Sequence, residues 1–232
     1  MKLLAIDTST DACSAALYFD GTVLSRYQHA PRQHAELILA MIQSMLDDSG
    51  IQLKHLDAMA FGRGPGAFTG LRVAAGVTQG IAFAVELPVV PVSTLATLAQ
   101  QAWSQQEQTN VLAGLDARLG EVYWGQYRLD NGIMRLHGSE QVCRPETVPI
   151  PDADSWYGAG SAWAAYPQEF AARLGNRCVA QEADMLPNAR YMLDLALSDF
   201  RNGYCCSADQ AVPVYLRDKV TNTAGPSPVM RT

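Results

Sequence analysis

A glycine-rich run at residues 62–72 limits the folds open to this chain. It reads Gly62-Arg63-Gly64-Pro65-Gly66-Ala67-Phe68-Thr69-Gly70-Leu71-Arg72, with four glycines and one proline in eleven positions. The run follows a strand-like segment, 56–61, and leads into a helical pattern, 71–85. A backbone with so few side chains is tolerated where the chain turns sharply or lies very close to something else. The run therefore predicts either a cradle for an anion or a docking surface.

The composition indicates a globular protein that does not grip nucleic acid by itself. The 232 residues suffice for one large domain or two small ones, and 48% of them are hydrophobic against 17% charged. The net charge of −6 argues against direct binding of a phosphate backbone, because such binding relies on clustered Lys and Arg. A role beside a basic partner stays open.

We expect a cytoplasmic protein that does not span a membrane. Four apolar residues, 3–6, meet Asp7, and this stretch is too short for the apolar core of a signal peptide. No run of about 18 apolar residues occurs. The five cysteines are scattered without a Cys-x-x-Cys pair, which is typical of reduced thiols.

The order of predicted elements repeats along the chain. The first part reads as strands at 3–7, 14–19 and 22–27, a helix at 34–48, a strand at 56–61, a helix at 71–85 and a strand at 89–92. The second part reads as strands at 111–115, 121–129, 133–137 and near 156–160, and helices at 162–174 and 190–200. Turn signals at Asp20-Gly21 and Asn131-Gly132 predict a hairpin in each part, because glycine takes the positive φ that such turns need.

This repeated plan predicts a duplicated α/β fold of the ribonuclease-H-like type. It is the architecture of actin, Hsp70 and the sugar kinases (ASKHA), with two βββαβα-type subdomains. A glutamine-rich stretch near 100–110 is the predicted linker. We therefore predict subdomains at 1–105 and 106–212, followed by a C-terminal segment, 213–232, that is partly a loose tail, with residues 223–228 as its loosest part.

An Asp ends the first strand of each half, and in actin-like ATPases such loops hold nucleotide phosphates and Mg²⁺. The candidate remnants of a nucleotide site are Asp7, Thr8, Ser9, Asp116 and Arg118. A working ATPase loop has glycine soon after the Asp, so that backbone N–H groups can close on phosphate. This chain has no glycine between Asp7 and Gly21. The alternative is an Asp and hydroxyls that satisfy turn N–H groups.

The glycine run has two interpretations of its own. It could hold phosphate at the N-terminus of the following helix, although its spacing is neither that of a P-loop nor that of a dinucleotide fingerprint. It could also be a structural turn. Thr69 is a candidate helix cap, and Arg72 is a candidate contact for an anion or a partner carboxylate, or else a solvent-facing or intramolecular side chain.

Small residues recur at a spacing of four on the helix that follows. They are Gly76, Gly80 and Ala84, and with Gly70, Arg72, Met41 and Met45 they form the predicted interface set. Glycine inside a helix costs roughly 1 kcal/mol relative to alanine, so two of them predict a neighbouring backbone that packs very close. That neighbour is either part of this chain or another subunit. Methionines suit an adaptable interface but also occur in cores.

Catalytic constellations are scarce. No His-x-x-x-His pair and no Gly-x-Ser-x-Gly elbow occurs. Ser93 and Thr97 are hydroxyl residues four apart where a helix begins, and we expect them to cap that helix.

Several segments together resemble the TsaB (YeaZ) family. They are residues 57–72, Leu4-Ala5-Ile6-Asp7-Thr8-Ser9, Leu115-Asp116-Ala117-Arg118, Glu121-Val122-Tyr123 and Pro213-Val214-Tyr215-Leu216-Arg217. The resemblance spans nearly the whole chain, and its most specific part runs from Gly64 to Arg72.

The resemblance implies a role in forming N6-threonylcarbamoyladenosine beside the anticodon of tRNAs that read codons beginning with A. The paralogue TsaD transfers the threonylcarbamoyl group from an adenylate made by TsaC, and the ATPase TsaE joins the complex. TsaD carries a metal-binding His-x-x-x-His where this chain has Ser93 and Thr97. Two hydroxyls cannot replace two imidazoles as ligands of a transition metal, so the resemblance implies a non-catalytic subunit.

The same resemblance implies the partners. The helix pair with the small-residue face would form a heterodimer with TsaD, or a homodimer when TsaD is absent, and tRNA would be met only through the complex. No intrinsic cofactor is expected, and ATP or ADP would bind at the surface shared with TsaD. Two other interpretations remain: an independent actin-fold ATPase or small-molecule kinase that uses Asp7 and Asp116, and a metallopeptidase.

Overall fold

Two mixed β-sheets form the centre of the computed structural model, which describes residues 1–152 and 155–217. The first sheet contains β1 (Lys2–Asp7), β2 (Ala12–Phe19), β3 (Thr22–His29), β4 (Ala58–Gly64) and β5 (Val89–Ser93), in the spatial order β3-β2-β1-β4-β5. The second contains β6 (Asn110–Arg118), β7 (Glu121–Asp130), β8 (Ile133–Leu136), β9 (Gln141–Cys143), β10 (Trp156–Ala159) and β11 (Cys178–Glu182). Its order is β11-β10-β6-β7-β8, and β9 also pairs with β7.

The two sheets share one plan. In each, three consecutive strands pair antiparallel, and the strand that follows the intervening segment pairs parallel with the first, as β4 does with β1 and β10 with β6. The helices are α1 (His34–Ser49), α2 (Phe68–Ala84), α3 (Thr94–Gln106), α4 (Ala162–Ala165), α5 (Pro167–Leu174) and α6 (Ala189–Arg201). The prediction of a duplicated ribonuclease-H-like fold is confirmed.

Local turn chemistry is where sequence and structure agree best. Asp20 and Gly21 have φ of 48° and 88°, and Asn131 and Gly132 have φ of 50° and 80°. Both central residues of each hairpin turn thus lie in the left-handed region that Asp, Asn and Gly reach most easily. Gly50 ends α1 in the same conformation, with its N–H donating to the carbonyl of Asp47.

Two helix predictions need correction. The helix expected at 162–174 is broken into α4 and α5, because Pro167 has no N–H to continue the ladder and disfavours a helical residue before it. The expectation that Thr69 caps α2 is also wrong. That helix begins at Phe68 with Ala67 as its N-cap, and no side chain of the part of the molecule that the structure describes caps it.

Helices α3 and α6 are exchanged between the two halves. Leu98 and Ala102 of α3 pack in one hydrophobic cluster with β6 of the second sheet, whereas Met192 and Ala196 of α6 pack on β1 and β4 of the first sheet. The boundary predicted between 105 and 106 therefore separates the two sheets but not the helices that cover them. Residues 213–217 lie against the glycine run, and the rest of the predicted tail, including 223–228, lies outside the described residues.

Candidate functional site

The glycine run lies directly on the loop that follows β1. A Cβ on any of three of its glycines would overlap an atom of residues 7–9. The pairs are Gly62 with the Asp7 carboxylate, Gly70 with the Thr8 carbonyl and Gly66 with the Ser9 carbonyl. The close approach that the run predicts is thus made within the chain, to the first Asp loop.

Asp7 is sealed beneath this cover. Its side chain is fully buried, and its Oδ1 accepts hydrogen bonds from the N–H of Ser9 at 2.9 Å and from the Ser9 hydroxyl at 2.7 Å. Its Oδ2 has no hydrogen-bond partner among the described residues. Burial raises the pKa of Asp7 to about 6, against the smaller lowering effect of the two Ser9 hydrogen bonds.

Two further hydrogen bonds fasten the loop to the glycine run. The Thr8 hydroxyl donates to the carbonyl of Gly70 at 2.7 Å, and the N–H of Ala67 donates to the carbonyl of Ser9 at 2.7 Å. Asp7 and Thr8 are therefore engaged inside the protein, which agrees with the alternative in which the Asp and hydroxyls satisfy groups of the chain itself. Ser9 alone of the three borders the neighbouring cleft.

That cleft lies between the two halves and has a volume of about 790 Å³. Phe68 at the start of α2 forms part of one wall, and Leu115 and Tyr123 form part of the opposite wall. Tyr215 and Arg217 of the C-terminal segment complete the lining. The cleft is the counterpart of the predicted nucleotide site, but aromatic and aliphatic side chains make up much of its surface.

The carboxylate of Asp116 in this cleft is already satisfied. Its Oδ1 accepts from the N–H of Arg118 at 2.8 Å and from the hydroxyl of Tyr166 at 3.3 Å. Its Oδ2 pairs with the Arg118 guanidinium at 3.0 Å. Burial, and then the nearby Asp116 carboxylate, raise the pKa of Tyr166, so its phenol remains a donor at neutral pH. Asp116 and Arg118 do lie in the cleft as predicted, but as partners of each other.

The outer face of α2 is uncovered. Arg72, Gly76, Gly80 and Ala84 are exposed. No atom of the described residues, other than the helix's own nearby backbone, lies within 4 Å of a Cβ placed on Gly76 or Gly80. The sequence left two possible neighbours for these glycines, another part of this chain or another subunit. The described part of the chain provides no such neighbour. Phe83 stands on the same face and is 81% exposed.

Three residues of the predicted interface set lie elsewhere. Met45 is fully buried in the core between α1 and the first sheet, because it lies on the inward stripe with Ile38 and Ile42. Met41 is partly buried against that same core. Gly70 is buried against Thr8. The predicted interface role of Met45 and Gly70 is therefore corrected to a role in packing.

Ser93 and Thr97 hold the start of α3. The Ser93 hydroxyl accepts from the N–H groups of Leu95 and Ala96 at 3.1 and 3.3 Å, and the Thr97 hydroxyl donates to the Ser93 carbonyl at 3.0 Å. The predicted capping role of Ser93 is confirmed. Thr97 does not cap the helix, because its hydroxyl bonds back to a carbonyl one turn earlier. The Ser93 hydroxyl also donates to the carboxylate of Glu140.

Glu140 is the centre of a polar cluster that the sequence does not reveal. Only 7% of its side chain is exposed, and it accepts from the Ser93 and Tyr127 hydroxyls and pairs with Arg63 at 3.4 Å. Burial, and then the Glu140 carboxylate, raise the pKa of Tyr127 well above its ordinary value. The members come from β4, β5, β7 and the segment before β9, so no local spacing links them.

Other residues at the site were also missed. Phe83 could have been found, because it follows Gly76 by seven residues and Gly80 by three and so shares their helix face. Tyr215 and Arg217 come from the far end of the chain, and only the family resemblance marked their segment. Within residues 1–152 and 155–217, no three His, Cys, Asp or Glu side chains form a group that could hold a metal ion, and no helix is long and apolar enough to cross a membrane.

Comparison with known proteins agrees with this architecture. Residues 27–224 match the family described as TsaD: tRNA N6-adenosine threonylcarbamoyltransferase. The tRNA threonylcarbamoyladenosine biosynthesis protein TsaB of Escherichia coli (strain K12) is 44% identical over 227 residues, with 95% of this chain and 96% of that protein covered. The protein of the same name from Haemophilus influenzae is 44% identical, with 95% of each chain covered. The structure of YeaZ from Pseudomonas aeruginosa superposes with a TM-score of 0.88 at 51% identity, covering 93% of this chain and 99% of that one. The chain therefore belongs to the TsaB (YeaZ) family.

Proposed function

We propose that this chain is a non-catalytic subunit of the machinery that forms N6-threonylcarbamoyladenosine in tRNA, where it supports TsaD. Relatives that it matches over nearly their whole length carry that biosynthetic role in their names. In this proposal TsaD carries out the transfer, TsaE joins the complex, and tRNA is met through TsaD. A cytoplasmic location follows from the tRNA substrate.

The observation that carries the non-catalytic role is the engagement of Ser93 and Thr97. They occupy the segment where TsaD has its metal-binding histidines, yet both hydroxyls are committed to the N-terminus of α3. Their oxygens are also poor ligands for a transition metal compared with imidazole. The segment that contains Ser93 and Thr97 thus stabilises the start of α3.

The cleft supports the same proposal. In an ATPase the two corresponding carboxylates face Mg²⁺. Here Asp7 is buried beneath Gly62 and does not line the cleft, and Asp116 is paired with Arg118. We therefore place ATP or ADP, when bound, at the surface shared with TsaD. Calorimetry with ATP and Mg²⁺ should detect no binding to the isolated chain and binding to the complex. Binding to the isolated chain at millimolar nucleotide would favour the ATPase interpretation instead.

The exposed face of α2 is the proposed contact with TsaD. Gly76 and Gly80 leave the helix backbone uncovered, which lets a partner helix approach closely, and Phe83 beside them offers an apolar anchor. In the absence of TsaD the same face would pair two copies of this chain.

Reconstitution tests the function. TsaD, TsaE, tRNA and the threonylcarbamoyl adenylate are combined with and without this chain, and the modified nucleoside is measured by mass spectrometry. We expect product only when the chain is present, and full activity without it would remove the proposal.

The non-catalytic part has its own test. Asp116→Asn in the complete complex should leave the initial rate within about twofold, because no chemical step is assigned to this carboxylate. A loss of about 100-fold or more in an intact complex would make the chain a catalyst.

A further inference from the structure

Residues 213–217 cross the mouth of the cleft and are held on both sides; we call them the C-terminal strap. On the first half, the N–H of Val214 donates to the carbonyl of Arg63 at 2.7 Å, and the Val214 carbonyl lies over Gly64. On the second half, the guanidinium of Arg217 pairs with Glu121, its Nε donating to Oε2 at 3.0 Å. The strap therefore joins β4 to the turn between β6 and β7.

The strap starts from a fixed point. Ala211, just before it, is fully buried in the core of the first half, and the side-chain amide of Gln79 on α2 donates to the Ala211 carbonyl at 3.1 Å. Arg217 at the other end is only 16% exposed and also donates to the carbonyl of Arg118 at 3.3 Å. One end is thus anchored in the core, and the other by a partly buried ion pair, which is screened less by water than a fully exposed pair.

The middle of the strap contacts both the cleft and the outside of α2. The ring of Tyr215 lies 5.5 Å from the ring of Phe68, and both rings line the cleft. Arg72 lies with its guanidinium carbon 3.8 Å from the centre of the Phe68 ring, and its Nε donates to the Tyr215 hydroxyl at 3.4 Å. Arg72 itself is exposed on the face of α2 that carries Gly76 and Gly80.

We propose that the C-terminal strap sets the opening of the cleft, and that Arg72 connects the strap to the outer face of α2. Widening the cleft moves β4 away from the β6–β7 turn, so it must break either the contact of Arg217 with Glu121 or that of Tyr215 with Phe68. Arg72 touches both Phe68 and Tyr215, so a molecule that binds Arg72 from outside changes the contact between these two rings. The inference concerns the isolated chain and does not depend on TsaD.

Labelling of a cleft-wall thiol tests the strap. Ala117 on β6 lines the cleft and is only 5% exposed, so Ala117→Cys reports opening through the reaction of Cys with a maleimide. Mass spectrometry of the peptide that carries position 117 separates this thiol from the five natural cysteines. In this background Glu121→Gln removes the charge under Arg217 without changing side-chain size. It should raise the labelling rate about fivefold or more.

Further variants test the ring contact of Tyr215 and the role of Arg72 separately. Tyr215→Ala should raise the rate as Glu121→Gln does, and Arg72→Ala should raise it about twofold. Tyr215→Phe keeps the ring contact and should label within about twofold of the parent.

The matched control is Asp48→Asn, which removes the carboxylate of the Arg26–Asp48 ion pair between β3 and α1. It should label at the parent rate. The proposal is overturned if Glu121→Gln labels at the parent rate. It is also overturned if Asp48→Asn gives the same increase at an equal loss of melting temperature, since that would indicate general loosening.

Discussion

Gly70 and Thr8 are so close that no side chain fits between them. A Cβ on Gly70 would overlap the carbonyl oxygen of Thr8, and the Thr8 hydroxyl donates to the carbonyl of Gly70 at 2.7 Å. The N-terminal turn of α2 is thus fastened to the loop after β1 by backbone contact. Gly80 on the same helix has no such neighbour within residues 1–152 and 155–217.

This contrast predicts opposite effects of one substitution at two positions of α2. Gly70→Ala should lower the free energy of unfolding by about 2–3 kcal/mol, because the added methyl group meets backbone that cannot move aside easily. Gly80→Ala should raise it by up to about 1 kcal/mol, because alanine favours the helix and the space is open. Urea unfolding measures both, and changes of equal sign would contradict the prediction.

The buried carboxylate of Asp7 should make stability depend on pH. Its folded-state pKa of about 6 exceeds the ordinary value of 3.8, so the folded protein binds a proton that the unfolded chain has released between these pH values. The contribution of Asp7 therefore favours the folded state most at low pH and is lost as the pH rises through about 6. The shift corresponds to up to about 3 kcal/mol.

Asp7→Asn isolates this effect, because the amide keeps an oxygen for the two Ser9 donors without a charge. The variant should be more stable than the parent at pH 7.5, by up to about 3 kcal/mol, and the difference should shrink towards pH 4. A difference that stays constant across this range would show that the carboxylate is not the cause.

Glu140 should matter more for stability than an exposed acid with the same kind of partner. Glu140→Gln leaves Arg63 without its counter-charge in a mostly buried cluster, and we expect a loss of about 2–3 kcal/mol in the free energy of unfolding. Asp48→Asn at the exposed Arg26 pair should cost less than about 1 kcal/mol. Equal losses for the two variants would indicate that the cluster around Glu140 is not specially stabilising.

The proposed contact with TsaD depends on the open face of α2. Gly80→Leu should leave the chain folded, because the position is free, and should weaken the complex by about tenfold or more by blocking close approach of a helix. Ala172→Leu, at an exposed position of α5, is the size-matched control and should bind as the parent does. Sedimentation of each variant with TsaD gives the affinity, and unchanged binding by Gly80→Leu would remove this face from the interface.

The parts of this fold that could be predicted depend on neighbours in sequence. The hairpin turns at Asp20-Gly21 and Asn131-Gly132 and the end of α1 at Gly50 follow from φ preferences that act within a few residues. The break at Pro167 was equally local and was visible in the sequence. The helix predicted at 162–174 passes through this proline, and there the prediction is wrong.

The site could be predicted only in part, because its contacts join distant segments. A glycine in such a run indicates that another group packs close to the backbone, but it does not identify that group. Gly62 and Gly66 are therefore compatible with a phosphate in the sequence, whereas in the structure they pack on the loop at 7–9. Met41 and Met45 lie four residues apart and so share one side of α1. The rotation of α1 against the sheet buries Met45 and leaves Met41 partly exposed. Glu140, Tyr215 and Arg217 gain their roles from contacts across 47 to 143 residues of chain.

The exchange of α3 and α6 means that the repeated plan does not yield two independent folding units. A fragment ending at residue 105 would contain α3 without the sheet it covers, and its own first sheet would lack α6 over Leu3 and Ala60. Neither half can complete its core until the other is present, so loss of one sheet exposes the apolar face of the other. We therefore expect the chain to unfold in one cooperative transition, in which neither half is lost without the other.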